Sequence, residues 1–267
     1  MELNQIIGNL LAVFVGISLG LIGSGGSILS VPILVYVMKV EPILATAYSL
    51  FVVGVAALFG GVQKAQQQLV DYKKVALFGI PTIAAVFFTR KIIVPSIPDC
   101  IYSNSSLVIT KPVFIMVVFA VVMIVASFRM IQPIKEQPTV TNTKLNVFGI
   151  LLQGTAIGFV AGFVGAGGGF LIIPALLFLA KTPMKMAVGT SLFIVSAQSL
   201  IGFLGDIRQD QIINWRLVLT FTFCAVVGIF IGSYLSKKVS GEKLKSGFGW
   251  FVLMMGIYII LKEVLKL

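Results

Sequence analysis

The sequence contains no histidine and only two cysteines, Cys100 and Cys224, which lie far apart and form no CxxC motif. Without imidazole, neither a Ser-His-Asp triad nor a histidine-ligated metal centre can form. Two isolated cysteines are typical neither of a zinc site nor of a disulfide framework. The sequence also shows no nucleophile paired with a base. We therefore expect no enzymatic activity and no cofactor.

Charged residues are scarce as well, at 11% of the chain, against about 25% in an average soluble domain. A water-exposed surface needs more charge than this, and a hydrophobic content of 58% excludes a disordered chain. The composition predicts an all-α, multi-pass protein integral to the plasma (cell inner) membrane. The net charge of +11 comes from basic residues in short connections, where topology signals and lipid headgroups explain them better than nucleic acid does.

Eight apolar runs follow one another along the chain, and two of them are too long for a single membrane span. One span needs about 20 residues, whereas the first run (Ile6–Met38) and the fifth (Leu145–Ala180) each exceed 30. Both contain a glycine cluster followed by a proline, so we expect broken or re-entrant helices there. The other runs are Ile43–Val62, Val75–Val94, Val113–Met130, Met186–Leu204, Leu217–Leu235 and Phe248–Leu261.

The two glycine clusters belong to an internal repeat. The segment GISLGLIGSGGS, which begins at Gly16, matches GFVAGFVGAGGG, which begins at Gly158, at a constant offset of 142. The same offset matches the prolines that follow and the segment Ala45–Phe51 with Ala187–Phe193. A repeat on this scale predicts two structurally related halves, 1–142 and 143–267.

The parity of membrane crossings distinguishes parallel from inverted halves. If the two long runs each cross once, lysine and arginine residues divide ten against ten between the two sides of the membrane. If the runs re-enter, the division becomes twelve against eight, which agrees better with the positive-inside rule. We therefore favour inverted halves with both termini and the loop Pro95–Thr110 outside; parallel halves are the alternative.

The glycine clusters form the candidate substrate site. Irregular backbone at membrane depth persists only inside protein or beside a wet cavity. The half-helices that follow, Ile28–Val37 and Phe170–Ala180, would direct their positive dipole ends to the midplane, where backbone amides bind anions. Close helix packing is the alternative interpretation, and we prefer it for the GxxxG pairs that begin at Gly16 and Gly158. The candidate residues at the clusters are Gly23, Ser24, Gly25, Gly26, Ser27, Gly165, Ala166, Gly167, Gly168 and Gly169.

Polar residues inside the second and sixth apolar runs extend this candidate site. Ser49 and Ser191 stand at matching positions of the repeat, and Thr190 precedes Ser191. Gln198 follows Ser191 by two helical turns, so both can share one helix face. A buried amide in a membrane is costly unless it has a partner. Each of these side chains is thus a candidate substrate ligand, although a bond to the backbone of its own helix also explains a lone hydroxyl.

Ionisable residues are expected to stay out of the membrane interior. Asp206 and Arg208 lie near the end of the sixth run and are expected to pair, and no charged side chain is assigned to the middle of a run. Proton-coupled carriers usually contain an intramembrane ionisable relay, and the chain has no nucleotide-binding loop. Transport is therefore expected to use the membrane voltage, which favours anion export, or a coupling ion in the case of import.

The paired glycine motifs resemble the TauE/SafE sulfite exporter family, as do Ala45–Phe51, Gly189–Phe193 and the turn Asn214-Trp215-Arg216. The similarity covers nearly the whole chain. It implies a small membrane permease for sulfur-containing anions such as sulfite or sulfonates, with membrane lipids as its other partners. Tyr48 departs from the more typical pattern, since the second half has a threonine at the matching position.

The resulting hypothesis is an exporter of sulfite or a similar small anion. An anion channel with the same architecture and a non-transport membrane scaffold are the alternatives. Saturable flux separates the exporter from the channel, whereas a scaffold gains no thermal stability from an anion. The sequence leaves open the exact anion, the coupling ion and whether the protein forms a homo-oligomer.

Overall fold

A computed structural model describes residues 3–23, 26–104, 107–132, 147–165, 167–178, 182–206, 213–236 and 241–264. The helices are α1 (Leu3–Ile22), α2 (Ser27–Pro32), α3 (Pro42–Gln66), α4 (Tyr72–Phe88), α5 (Val94–Ser96), α6 (Lys111–Ile131), α7 (Val147–Val164), α8 (Gly169–Phe178), α9 (Met184–Asp206), α10 (Trp215–Leu235) and α11 (Gly241–Val264). A π-helical turn, Ile33–Val37, continues α2, and a second one, Thr89–Ile93, joins α4 to α5. The predicted all-α fold is confirmed.

Among the described residues, six helices are long and apolar enough to cross a membrane. They cover Asn4–Ile22, Pro42–Gln66, Tyr72–Ser96, Lys111–Phe128, Lys185–Asp206 and Trp215–Leu235. Two shorter apolar helices occupy Ser27–Val37 and Phe148–Val164. The first of them follows the first glycine cluster, and the other precedes the second cluster. The chain is therefore a multi-pass integral membrane protein, as its composition predicts.

The polar connection between α5 and α6 contains a small β-hairpin instead of the expected loop. The strand β1 (Cys100–Asn104) pairs antiparallel with β2 (Leu107–Thr110). Tyr102 lies opposite Ile109, and residues of these types favour extended backbone. Among the described residues, the two strands of this hairpin are the β-structure.

The first long run folds back on itself. After α1 ends, the chain turns so that Gly26 lies against Leu19 of the same helix. The helix that follows then brings Met38 into contact with Gly8, near the beginning of α1. The run therefore starts and finishes at the same end of the helix bundle, as a re-entrant hairpin.

The helices α3 and α9 form the centre of the bundle and run antiparallel. Gly54 of α3 faces Leu200 of α9, and further along α3 Gly60 faces Leu192. Within the candidate spans, 67% of α3 and 72% of α9 is buried, against 44% of each of the others. The side chains of this central pair therefore face protein and the outer helices face lipid.

The outer pairs α1/α10 and α7/α4 pack closely through glycines and run parallel. A Cβ atom at Gly16 would overlap the carbonyl group of Ala225 in α10, and one at Gly158 would meet the carbonyl oxygen of Thr82 in α4 at 2.5 Å. The packing interpretation of the two GxxxG pairs is thus confirmed. Close backbone approach of this kind is how helices associate in lipid.

The second long run also returns to the end from which it starts. Gly168 lies against Ala161 of α7, so the chain turns back along that helix. Gly189, near the beginning of α9, lies against the carbonyl group of Leu69 in the connection that leads into α4. Because α4 and α7 run parallel, α7 and α9 begin at the same end of the bundle.

Two polar residues cap the helices α4 and α10. The carboxylate of Asp71 accepts from the amide of Lys74 at 3.2 Å, and the side-chain oxygen of Asn214 accepts from the amide of Leu217 at 3.2 Å. We expect Asn214→Ala to cost about 1 kcal/mol of stability, because an amide at the helix start loses its acceptor. Thermal unfolding in detergent measures this loss. Asn214→Ser keeps the cap and serves as the control; an alanine variant as stable as the serine variant would contradict the prediction.

Candidate functional site

Glycines with positive φ end the helices α1 and α7. Gly23 has φ +83° and Gly165 has φ +72°, a left-handed conformation that favours glycine. The Gly23 amide donates to the carbonyl of Leu19 at 2.7 Å, and the Gly165 amide donates to that of Ala161 at 2.9 Å. Both helices therefore end with the same αL cap, within the predicted clusters. Three candidate site residues lie outside the described residues: Ser24, Gly25 and Ala166.

Each break contacts the central helix of the opposite half. Gly23 lies against Val188 near the beginning of α9, and Gly165 lies against Thr46 near the beginning of α3. Val188 and Thr46 stand at matching positions of the repeat. The half-helices beyond the breaks meet as well, since α2 contacts α8. The described glycines at the two breaks, Gly23 and Gly165, therefore pack against the central helices.

The second break reaches the middle of the central helix pair. Gly167, with φ +65°, lies against Ser199 of α9 and Val53 of α3. The side-chain amide of Gln198 donates to the carbonyl of Gly167. Gln198 Oε1 and Ser199 Oγ are fully buried and have no hydrogen-bond partner among the described residues. Such an atom costs about 1–3 kcal/mol, so a ligand or water that supplies a partner is stabilised here.

The helix α8 begins directly after the second break. Gly169 begins α8, and the amides of Leu171 and Ile172 donate to the carbonyl of Gly168 at 2.9 and 3.3 Å. The amides that precede them in the first turn have no carbonyl of their own helix to bind. Amides of this kind and the hydroxyl of Ser199 are uncharged donors, which suit an anion.

The sequence pattern points to Gln198 but not to Ser199. Repeat matching could not find Ser199, because Gln198 and Ser199 correspond to Ala56 and Ala57 in the first half. The available signal was a serine beside a buried glutamine. The polar side chains at the centre thus come from one half alone, so the site is asymmetric.

The first break is held to α3 by a pair of serines. Ser30 Oγ lies 2.5 Å from Ser49 Oγ and donates to the carbonyl of Ser27 at 2.8 Å. Because a hydroxyl has one proton, Ser49 is the donor between the two serines. All three residues are fully buried. Ser49 is thus close to the half-helix, but its hydroxyl already has a partner. Its part in substrate binding stays a prediction, and Ser30 was not selected from the sequence.

Thr190 and Tyr48 fasten the connections that precede α4 and α10. Thr190 Oγ1 accepts from the amide of Asp71 at 3.0 Å, and the hydroxyl of Tyr48 accepts from the amide of Asn214 at 2.8 Å. These two bonds join matching positions of the repeat. Thr190 therefore lies at the end of the bundle where α4 begins, and its side chain does not reach Gln198. Its part in substrate binding stays a prediction.

Ser191 connects α9 to the first break. Its hydroxyl donates to the carbonyl of Val188 at 2.9 Å and lies 3.4 Å from the carbonyl oxygen of Gly23. The first bond is the link to its own helix that a lone hydroxyl in a membrane span usually makes. The second places Ser191 directly beside a candidate residue of the other half.

Asp206 takes part in a buried ion pair with a residue that the sequence analysis did not select. Asp206 binds Arg90, with Oδ2 2.9 Å from Nη1, and Arg208 lies outside the described residues. Arg90 belongs to the third apolar run, near its end, and is 1% exposed, so a charged side chain is buried within one of the apolar runs. The π-helical turn Thr89–Ile93 carries it, and such turns often mark functional sites. An arginine inside an apolar run was the overlooked signal.

Metal ligands do not gather at this site. In the part of the chain that the structure describes, no three histidine, cysteine, aspartate or glutamate side chains lie together. Arg90 lies against Gly165 of the second break, and Asp206 is its counter-ion. The arrangement can hold a small anion with uncharged donors at the centre and one guanidinium close by.

Comparisons with known proteins indicate a family of membrane transporters. A family model described as "Sulfite exporter TauE/SafE" matches residues 9–263. The chain is 30% identical over 251 residues to a probable membrane transporter protein of Xylella fastidiosa (strain 9a5c), covering 92% of this chain and 91% of the relative. It is 25% identical over 268 residues to a probable membrane transporter protein of Methanocaldococcus jannaschii, covering 94% and 95%. No solved structure matches the chain.

Proposed function

Because the chain belongs to the sulfite exporter TauE/SafE family, we propose that this membrane transporter exports sulfite or a related sulfur-containing anion. The observation that carries the proposal is the fully buried, unpartnered hydroxyl of Ser199 beside Gly167, between the two most buried helices. An anion at this position satisfies Ser199 and the first-turn amides of α8 together. The predicted ligands at the first break and Ser49 are proposed to contribute from the other half of the chain.

The two halves, 1–142 and 143–267, are proposed to be inverted repeats. The helices α3 and α9 contain matching positions of the repeat and run antiparallel. A two-fold axis that reverses a membrane-spanning helix lies in the membrane plane, whereas parallel repeats leave the direction unchanged. The return of both long runs to their starting ends supports the same arrangement, since neither run then adds a net crossing to its half.

Uncharged donors bind an anion less tightly than a charged side chain would, and moderate affinity suits a transporter. An anion must bind strongly enough to enter and weakly enough to leave. Export from a cell that is negative inside gains about 2.3 kcal/mol per charge per 100 mV. A doubly charged anion therefore needs no coupling ion to leave the cell.

Sulfite flux in proteoliposomes under a potassium diffusion potential tests the proposal. We expect saturable flux that follows the voltage, with sulfate and chloride added as competitors. Ser199→Ala should lower sulfite flux about tenfold, because hydrogen bonds to charged groups contribute roughly 1.5–3 kcal/mol. Ser96→Ala is the control, since Ser96 is exposed and donates only to Ile92 in its own helix.

Three results would argue against the proposal. If Ser199→Ala transports sulfite at the wild-type rate, the proposal that the anion binds at the central position is wrong. Flux that rises linearly with sulfite concentration favours an open channel. Folded wild-type protein that moves no sulfite under either polarity, and gains no thermal stability from it, favours a non-transport scaffold.

A further inference from the structure

Arg90 is a buried cation with more donors than partners. A guanidinium has five N–H donors, and Nη1 of Arg90 uses its two on Thr46 at 3.0 Å and Asp206 at 2.9 Å. Nε and Nη2 have no hydrogen-bond partner among the described residues. The side chain is 1% exposed, the least of the buried charged residues. Three donors of a fully buried cation are therefore unused, which is unfavourable unless a ligand binds them.

Gly165 lies against this unused edge. A Cβ atom at Gly165 would overlap Nη2 of Arg90 and the side chain of Thr46. The glycine thus allows the guanidinium to reach the second break, and its φ of +72° ends α7 at that point. Two residues after Gly165, Gly167 lies against Ser199. The unused edge of Arg90 and the hydroxyl of Ser199 therefore lie against the same short segment of the chain, at Gly165 and at Gly167.

Asp206 balances the charge of Arg90 but does not bind the Nε/Nη2 edge of the guanidinium. The carboxylate binds Nη1 through one oxygen, Oδ2, whereas a bidentate pair occupies two parallel N–H groups on one edge. A buried cation without any counter-ion is strongly destabilising, so Asp206 allows Arg90 to stay buried while no anion is bound. The Nε/Nη2 edge remains available for a second partner.

We propose that the Nε/Nη2 edge of Arg90 is a second anion-binding site of this transporter, specific for oxyanions whose two oxygens match the guanidinium fork. The proposal rests on the function proposed above and extends it to substrate selection. A halide cannot bind bidentately, so the edge favours sulfite and sulfonates over chloride. Asp206 competes with the bound anion for the guanidinium charge, which limits affinity and assists release.

Binding of ³⁵S-sulfite to the purified full-length chain, with chloride as competitor, tests this site. Arg90→Lys keeps the charge but removes the fork, so we expect about tenfold weaker sulfite binding and a smaller preference for sulfite over chloride. Asp206→Asn removes the competing carboxylate and should tighten binding about threefold or more. Lys91→Gln removes one charge from an exposed neighbour on the same π-helical turn and should bind sulfite as wild type does.

The outcomes separate this inference from the proposed function. Unchanged sulfite affinity and chloride preference in Arg90→Lys would overturn it and leave Arg90 as a support for the end of α7. Weaker or unchanged sulfite binding in Asp206→Asn would show that Asp206 does not compete with the anion for Arg90. If Ser199→Ala lowers flux while both Arg90 results match wild type, the transporter proposal stands and this one fails. A wild-type protein that neither binds nor moves sulfite contradicts both.

Discussion

Replacement of Gly167 by leucine is expected to reduce anion flux to background. A Cβ atom at this position would lie 2.6 Å from Ser199 Oγ and 3.1 Å from Val53 Cγ1, so a leucine side chain occupies the space that the proposed anion needs. The backbone at Gly167 has φ +65°, which a residue with a side chain adopts only under strain. Voltage-driven sulfite uptake in proteoliposomes measures the effect.

Gly247 provides the matched control for this substitution. It lies in α11, and a Cβ atom there would meet nothing within 4 Å, so Gly247→Leu should transport sulfite as wild type does. Gly167→Ala is the smaller change at the site; it should lower stability through the same backbone strain but show intermediate flux, because it adds less volume. Full flux in a folded Gly167→Leu protein would contradict the central site.

Replacement of Gly16 by alanine is expected to destabilise the protein by about 3 kcal/mol, the upper part of the usual range for overpacking. The added methyl group would overlap the carbonyl group of Ala225 and lie 2.8 Å from the amide nitrogen of Ile229. Both obstacles belong to the backbone of α10, which no side-chain rotation can relieve. The helices must move apart, and the contact that joins α1 to α10 is lost.

Thermal unfolding in detergent, compared with Gly79→Ala, measures this cost. Gly79 lies in α4, where an added Cβ atom would come no closer than 3.7 Å to Ile194. That separation is ordinary van der Waals contact, and alanine favours a helix by up to about 1 kcal/mol over glycine. Gly79→Ala should therefore be neutral or stabilising. Equal melting temperatures for the two variants would show that α1 and α10 do not depend on backbone contact.

The local features of this fold could be predicted because they follow from backbone chemistry along the chain. Adjacent glycines cannot continue a helix comfortably, and the left-handed caps at Gly23 and Gly165 lie within the predicted clusters. The apolar runs gave the membrane spans, since about 20 apolar residues are needed to cross the bilayer. The offset of 142 related positions such as Thr46 and Val188, which make equivalent contacts with the two breaks.

The contacts between helices could not be predicted from hydropathy, because lipid and protein interior are both apolar. In α10, Phe221 is fully buried while Phe223 is 70% exposed, so residue type does not indicate which face points inward. A soluble helix would show that face through an amphipathic stripe. The repeat could not help with Ser199, whose counterpart is Ala57.

By itself, the sequence determined a multi-pass helical membrane protein with two broken runs at fixed positions, because glycine strain and bilayer thickness act locally. Only the tertiary structure decided that Arg90 is buried against Gly165 with Asp206 as its counter-ion. Arg90 and Asp206 are 116 residues apart, and their meeting depends on how α4 and α9 rotate about their axes. That rotation is set by packing between whole helices, which no local pattern of residues records.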